Sequence, residues 1–188
     1  MTNLQEACFS FTLVEDLLPL AKLSKLKVLD LSFTKVWNLY HLQQLTKLKS
    51  LNLSGCSYVK NLHFLSNLKN LKQLKLDNTN VKNIYALASC VRLEELSLSG
   101  AKVQNINPLG QCVNLKKLSL TGLTNIDNIN SLKSCNQLEV LIISGTAVKC
   151  LKPIENCFNM KILNLGASNV ECLLPLKDLN KLKELTLV

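Results

Sequence analysis

Leucine returns along this chain at a fixed step of 22 or 23 residues, at Leu4, Leu26, Leu48, Leu71, Leu93, Leu115, Leu138 and Leu182, with Met160 taking the same place once. Each start opens the same frame, with leucine recurring at positions 1, 4 and 6, as in Leu48-Lys49-Ser50-Leu51-Asn52-Leu53 and Leu93-Glu94-Glu95-Leu96-Ser97-Leu98. A unit of that length cannot bury its apolar face alone, so neighbours must stack and share one continuous core. The alternation inside L-x-x-L-x-L has the period of a strand. Stacked units therefore lay their strands side by side, ~4.8 Å apart, in one parallel sheet. Eight full repeats fill residues 4–181 and a ninth runs over residues 182–188, which reads as a single domain over residues 1–188.

The repeat positions assign the rest. Leucines at positions 1, 4 and 6, such as Leu96 and Leu118 in central repeats, point into the core, and positions 3, 5 and 7 point outward on the concave face. Gly55, Gly100, Gly122 and Gly145 all fall at position 8, where the chain turns out of the strand. Pro19, Pro108, Pro153 and Pro175 all fall at position 16, on a return where a missing N–H is tolerated. Positions 14 and 17 are Leu or Ile throughout and close the core from the convex side. The longer repeats carry their extra residue near Tyr58 and Asn125, in the turn after the strand. The expected fold is an α/β-type solenoid. It is a horseshoe with a parallel β-sheet on the concave face and short 3-10 or irregular returns on the convex face.

No run of about 18 apolar residues exists, so no membrane span is expected. The N-terminal residues lack a basic region followed by an apolar core, and Glu6, Glu15 and Asp16 sit where a signal peptide needs neutrality. A cytoplasmic or nuclear location is the expectation from that start. The net charge is +9.

The nine-fold frame resembles the leucine-rich repeats of bacterial internalins and of protein phosphatase 1 regulatory subunits. The resemblance covers the whole chain. The phrasing Ser144-Gly145-Thr146-Ala147-Val148 is similar to leucine-rich repeat proteins of protists. These families mostly carry Asn at position 9, where this chain has Thr12, Thr34, Cys56, Thr79, Ala101, Leu123, Thr146 and Ser168. Threonine supplies part of the asparagine's backbone bonding; alanine and leucine do not. The resemblance implies a fold strongly and a function weakly, because this fold serves many unrelated ones.

Eight cysteines invite a disulfide or metal reading. Cys90, Cys112, Cys135 and Cys157 stand at position 20, which is Leu23, Leu45, Leu68 and Leu179 in other repeats, so they read as small apolar fillers. Cys56 falls in the inward position 9 column. No short C-x-x-C pair supports zinc, and no cofactor is expected. Cys150 and Cys172 differ: both fall at position 13 of consecutive repeats, in a column otherwise Asn38, Asn61, Asn83, Asn105 and Asn128. One repeat step is close enough for a disulfide. In a cytosolic setting two reduced surface thiols are the expected state.

Three surfaces are candidates for binding. The concave face offers Asp30, Asn52, Lys75, Asp77, Glu95, Lys117 and Asn164 among many hydroxyls, with Val140, Ile142 and Ile162 forming an apolar cluster toward the C-terminal end. One edge carries a lysine column at position 2, with Lys27, Lys49, Lys72, Lys116, Lys161 and Lys183 interrupted by Glu94 and Glu139. No aromatics interleave with those lysines to stack bases, so nucleic acid is an unlikely partner and a solvated edge is the simpler reading. The convex side of the N-terminal half places Trp37, Tyr40, His63 and Tyr85 near one another.

No nucleophile–base pair, phosphate loop or carboxylate pair stands out, and His41 and His63 lie on different columns. The reading is a non-catalytic protein–protein interaction scaffold with its partner on the concave face, and the resemblance adds a phosphatase-regulator form of it. A nucleic-acid-associated protein using the lysine edge and a surface adhesin fragment are the alternatives. The ninth strand carries Leu185 and Leu187 with no convex return over them, which suggests a longer solenoid or end-to-end self-association through that edge.

Overall fold

The computed structural model describes residues 3–188; Met1 and Thr2, which precede the first repeat, lie outside the described residues. Among the described residues the sheet has nine short strands: β1 Glu6–Cys8, β2 Val28–Asp30, β3 Ser50–Asn52, β4 Gln73–Lys75, β5 Glu95–Ser97, β6 Lys117–Ser119, β7 Val140–Ile142, β8 Ile162–Asn164 and β9 Glu184–Thr186. They pair in sequence order, all parallel. Register follows the repeat without a slip: Leu74 faces Leu96, Leu96 faces Leu118, and Leu118 faces Leu141. The two 23-residue repeats keep this register because Tyr58 and Asn125 stay exposed in the turn that follows the strand. The α/β-type solenoid expected from the sequence is the observed fold, with one open sheet and 3-10 turns on its other side.

One core runs the length of the stack. Leucines of positions 1, 4 and 6 are fully buried through the central repeats, as are those of positions 14 and 17 on the returns. Each repeat thus buries apolar surface from both sides of a narrow loop, which offsets the entropy of ordering it. Burial fails toward the last return, where Leu173 and Leu174 are exposed, and along β9, where every residue is exposed.

The returns have a polar cause that leucine spacing does not show. The position 13 side chain accepts the backbone N–H two residues on, at the first turn of each five-residue 3-10 helix. Asp16 accepts from Leu18 (2.8 Å), Asn38 from Tyr40 (3.0 Å), Asn61 from His63 (2.8 Å), Asn83 from Tyr85 (2.8 Å), Asn105 from Asn107 (2.7 Å) and Asn128 from Asn130 (3.4 Å). Asx turns of this kind satisfy a donor that the short helix leaves orphaned. The two repeats with cysteine at position 13 are the two whose 3-10 turns shrink to three residues, Lys152–Ile154 and Leu174–Leu176. Proline is not the reason, because Pro19 and Pro108 sit inside five-residue turns.

Position 8 is left-handed in all eight full repeats among the described residues. Glycine supplies that conformation at Gly55, Gly100, Gly122 and Gly145, but Phe11 (φ 59°), Phe33 (φ 56°), Asn78 (φ 54°) and Ala167 (φ 51°) adopt it too. A phenylalanine at positive φ is strained. The Phe11 and Phe33 rings stack at 4.6 Å between centroids, with planes 8° apart. The Phe33 ring also covers Gly55 so closely that a Cβ there would lie 2.5 Å from its Cδ1, whereas nothing lies within 4 Å of the same point at Gly122.

Gly55→Ala is therefore expected to destabilise more than Gly122→Ala. Both add backbone strain of about 1 kcal/mol or more, and only Gly55→Ala must also displace an aromatic ring. Urea denaturation checks the order, and Phe33→Ala should remove the excess; equal costs would mean that the ring gives way freely. Removing a cap by Asn83→Ala is expected to cost about 1 kcal/mol, read in the same assay.

Candidate functional site

The concave face is built from the odd positions of the strands, and the structure puts all ten sequence-predicted residues on it or at its turn. Several are engaged with the chain itself. The Asp30 carboxylate accepts the Ser32 N–H (2.8 Å), the Ser32 hydroxyl (2.6 Å) and the Asn52 amide (3.1 Å). Asn52 accepts the Ser54 N–H (3.0 Å), and Asn164 the Gly166 N–H (3.0 Å). Asp77 takes the Ser97 hydroxyl and the Ser99 N–H (2.8 Å) from the next repeat. Partial burial pushes the Asp30 carboxyl pKa up, but the two Ser32 hydrogen bonds, the Asn52 amide and the Lys75 charge outweigh it and hold it below its ordinary value. These carboxylates and amides close the turns out of β2, β3, β5 and β8, a task the outward-pointing pattern did not reveal.

Hydroxyls continue this network. Ser99 meets Ser119 at 2.8 Å, Ser119 meets Thr121 at 3.2 Å, and Thr121 meets Ser144 at 3.3 Å. Ser32, bonded to Asp30, is buried although position 7 points outward in the frame. Ser97 is likewise half-buried and bonded rather than free in solvent.

The network ends where apolar residues take over. Val140 pairs in register with Ile162, and Ile142 with Asn164, so Val140, Ile142 and Ile162 form one half-buried patch. Val140 and Ile142 line a shallow depression of about 190 Å³ together with Gln73, Lys75, Glu95 and Lys117. Glu95 and Lys117 face each other across β5 and β6 at 2.9 Å, and Lys75 remains exposed. The Glu95 hydrogen bond and charge raise the Lys117 pKa. A β-branched patch beside one ion pair and one exposed cation can cover an apolar partner surface and orient it by charge. Nothing in it resembles a nucleophile with a base.

The lysine edge is less basic than the column of lysines suggests. Glu94 bonds to both Lys72 and Lys116 (2.9 Å to the latter), and Glu139 bonds to Lys161 at 2.6 Å. Half-buried Glu94 and Glu139 thus pair with three of the six lysines singled out in that column and offset two of their charges.

The position 20 cysteines form a buried file. The thiols of Cys90, Cys112 and Cys135 donate to the carbonyls of Leu65, Leu87 and Leu109 in the repeat before, at 3.7, 3.4 and 3.5 Å. Burial pushes Cys90 and Cys135 up to about 11 and Cys112 and Cys157 up to about 12, which makes them inert. Cys56 donates to Leu31 O at 3.0 Å, the same carbonyl that the Thr34 hydroxyl reaches at 2.6 Å. That is how this chain manages without asparagine at position 9; Ala101 and Leu123 simply join the core. Among the described residues, no three His, Cys, Asp or Glu side chains converge as for a metal. Among the described residues no helix is long and apolar enough to cross a membrane. On the convex side Trp37, Tyr40 and His63 are exposed around a hollow of about 530 Å³.

No protein-family model matches the sequence, and no curated protein matches it. Solved structures do. An internalin of Listeria monocytogenes superposes with a TM-score of 0.93 at 26% identity, over 99% of this chain and 54% of that one. Internalin C2 of the same species gives 0.91 at 26% identity, over 97% and 80% of the two chains. A leucine-rich repeat protein of Leptospira interrogans gives 0.87 at 23% identity, over 96% and 48%. The chain is a leucine-rich repeat protein, and it spans about half the length of the first of these internalins.

The pairing along the lysine edge has a measurable consequence. Hydrogen bonds from Lys72 and then Lys116, with their charges, hold the Glu94 carboxyl at about 2 against an ordinary 4.5. A depressed folded-state pKa contributes stability that is complete above 4.5 and is lost as pH falls through about 2. The wild-type protein should therefore lose stability more steeply than Glu94→Gln across that window. The difference should be small and should shrink in high salt, because the group lies at the surface. Denaturant midpoints at several pH values test it; parallel curves would mean that Glu94 is unpaired in solution.

Proposed function

We propose that this protein is a non-catalytic scaffold that holds a protein partner on its concave face. The observation that carries the reading is the patch of Val140, Ile142 and Ile162, which follows directly on the bonded hydroxyls and the ion pair of β5 and β6. Three β-branched side chains stand half-open on a sheet whose own core is complete, beside Lys117 and Ser119 at the equivalent positions of β6. Lys75, Glu95 and Lys117 border the patch and set the orientation of a partner, while Asp30, Asn52, Asp77 and Asn164 extend the polar rim. The lysine edge is a weaker basis for nucleic-acid binding, since Glu94 and Glu139 occupy its middle. A direct binding assay with a phosphatase catalytic subunit tests the regulator form that the repeat resemblance implies.

Ile142→Glu is expected to abolish partner capture in a pulldown read by mass spectrometry, with the melting temperature nearly unchanged. Tyr85→Ala on the convex side should leave the same captured set intact. If Ile142→Glu unfolds the protein, Ile142 belongs to the core and the reading fails. Capture that survives Ile142→Glu places the partner elsewhere.

A further inference from the structure

The eight cysteines divide into five that are buried and three that are exposed, Cys8, Cys150 and Cys172. Cys8 lies alone on β1, beside the Ser10 hydroxyl at 3.1 Å. Cys150 and Cys172 line the same hollow of about 700 Å³ on the return side of the last two full repeats. Both occupy the position that holds a turn-capping Asn or Asp in the six repeats before them. The substitution forfeits that cap twice running, and the turns that follow are shortened. The pair therefore departs from the capping rule that the six preceding repeats obey, and the turn itself does not account for it.

Spacing gives the pair its chemistry. A horseshoe widens toward its outer side, which would separate equivalent residues there. At this point it does not: the Glu171 N–H donates to the Lys149 carbonyl at 3.2 Å, and the Lys149 ammonium meets the Glu171 carboxylate at 3.1 Å. Each of these residues immediately precedes one of the two cysteines. The backbone step is thus held near the strand spacing of ~5 Å, inside the roughly 4.5–7 Å between Cα atoms that a disulfide spans.

We propose that Cys150 and Cys172 form a reversible dithiol–disulfide site whose substrate is a low-molecular-weight disulfide such as glutathione disulfide. The thiolate of one cysteine attacks a sulfur of the reagent, a protein–glutathione disulfide forms, and the reagent's S–S bond breaks to release one glutathione thiolate. The second cysteine thiolate attacks the protein-side sulfur and expels the other glutathione. Two protein thiols are oxidised by two electrons, one glutathione disulfide is reduced to two glutathiones, and the protons pass to the released thiolates. The product staples the returns of the two repeats whose strands, β7 and β8, carry Val140, Ile142 and Ile162. Excess reduced glutathione reverses it.

The test uses the full chain, incubated with glutathione disulfide and analysed intact and after digestion. The expected product has lost the mass of two hydrogen atoms at the pair, with the Cys150 and Cys172 peptides linked, while Cys8 carries a glutathione adduct and reports that the reagent was active. The oxidised protein should melt several degrees higher than the reduced one. Cys150→Ser and Cys172→Ser should each show a single adduct at the remaining cysteine and no such rise. Two separate adducts on the wild-type pair, or two free thiols under conditions that modify Cys8, would overturn the proposal.

Discussion

Everything in this molecule depends on one constraint, the fixed register by which each repeat hydrogen-bonds to the next. Lys27 and Val28 both donate to Gln5, Lys49 and Ser50 to Lys27, Lys72 and Gln73 to Lys49, and so on to Lys183 and Glu184 on Lys161. Each unit places the same carbonyl before the same two donors of its neighbour. A slip of one residue would turn every leucine of a strand outward. The shared core forbids that, so equivalent positions stay in columns, and a column is the unit in which both stability and function must be read.

The columns explain what could be read directly from the amino acids. Leucine at positions 1, 4, 6, 14 and 17 states its own burial, because the frame repeats often enough to separate core from surface. The position 20 cysteines are legible as core for the same reason: they replace leucine in Leu23, Leu45, Leu68 and Leu179. Other features stayed hidden because they depend on neighbours rather than on the residue. Glu94 reads as an interruption of a lysine column, yet stacking makes it the shared partner of Lys72 and Lys116. Ser97 reads as solvent-facing, yet the adjacent repeat brings Asp77 to its hydroxyl. The Asn column at position 13 was visible as a column, but its task, accepting an N–H two residues on, belongs to the turn geometry.

Position 8 shows how far the stack overrides local preference. Phenylalanine at positive φ would not choose that conformation in an isolated turn. Phe11 and Phe33 take it because the strands on either side are already committed: the Phe33 N–H donates to Ser54 O at 2.8 Å, just as the Gly55 N–H donates to Asp77 O at 2.7 Å. The ladder fixes the backbone, and the side chain accepts what the ladder dictates. The cost is concentrated in the first two repeats, where Phe11 is 76% exposed and Phe33 51% exposed. There the two rings stack on each other and the Phe33 ring lies over Gly55.

The same logic separates structural polarity from binding polarity on the concave face. A carboxylate or amide that already holds a turn, as Asp30 and Asn52 do, has one hydrogen-bonding direction taken and a fixed orientation. It can steer a partner, but altering it disturbs the turn as well as the contact. Val140, Ile142 and Ile162 carry no such obligation: their main chains keep the register while their side chains are free of the network. Hydroxyls at those places would have extended the chain of bonds that reaches Ser144. The backbone ladder does not itself call for apolar side chains there, whereas the acidic positions are engaged in holding turns. On the reading proposed above, the apolar end of this face would exclude water from a partner and the charged groups beside it would orient that partner.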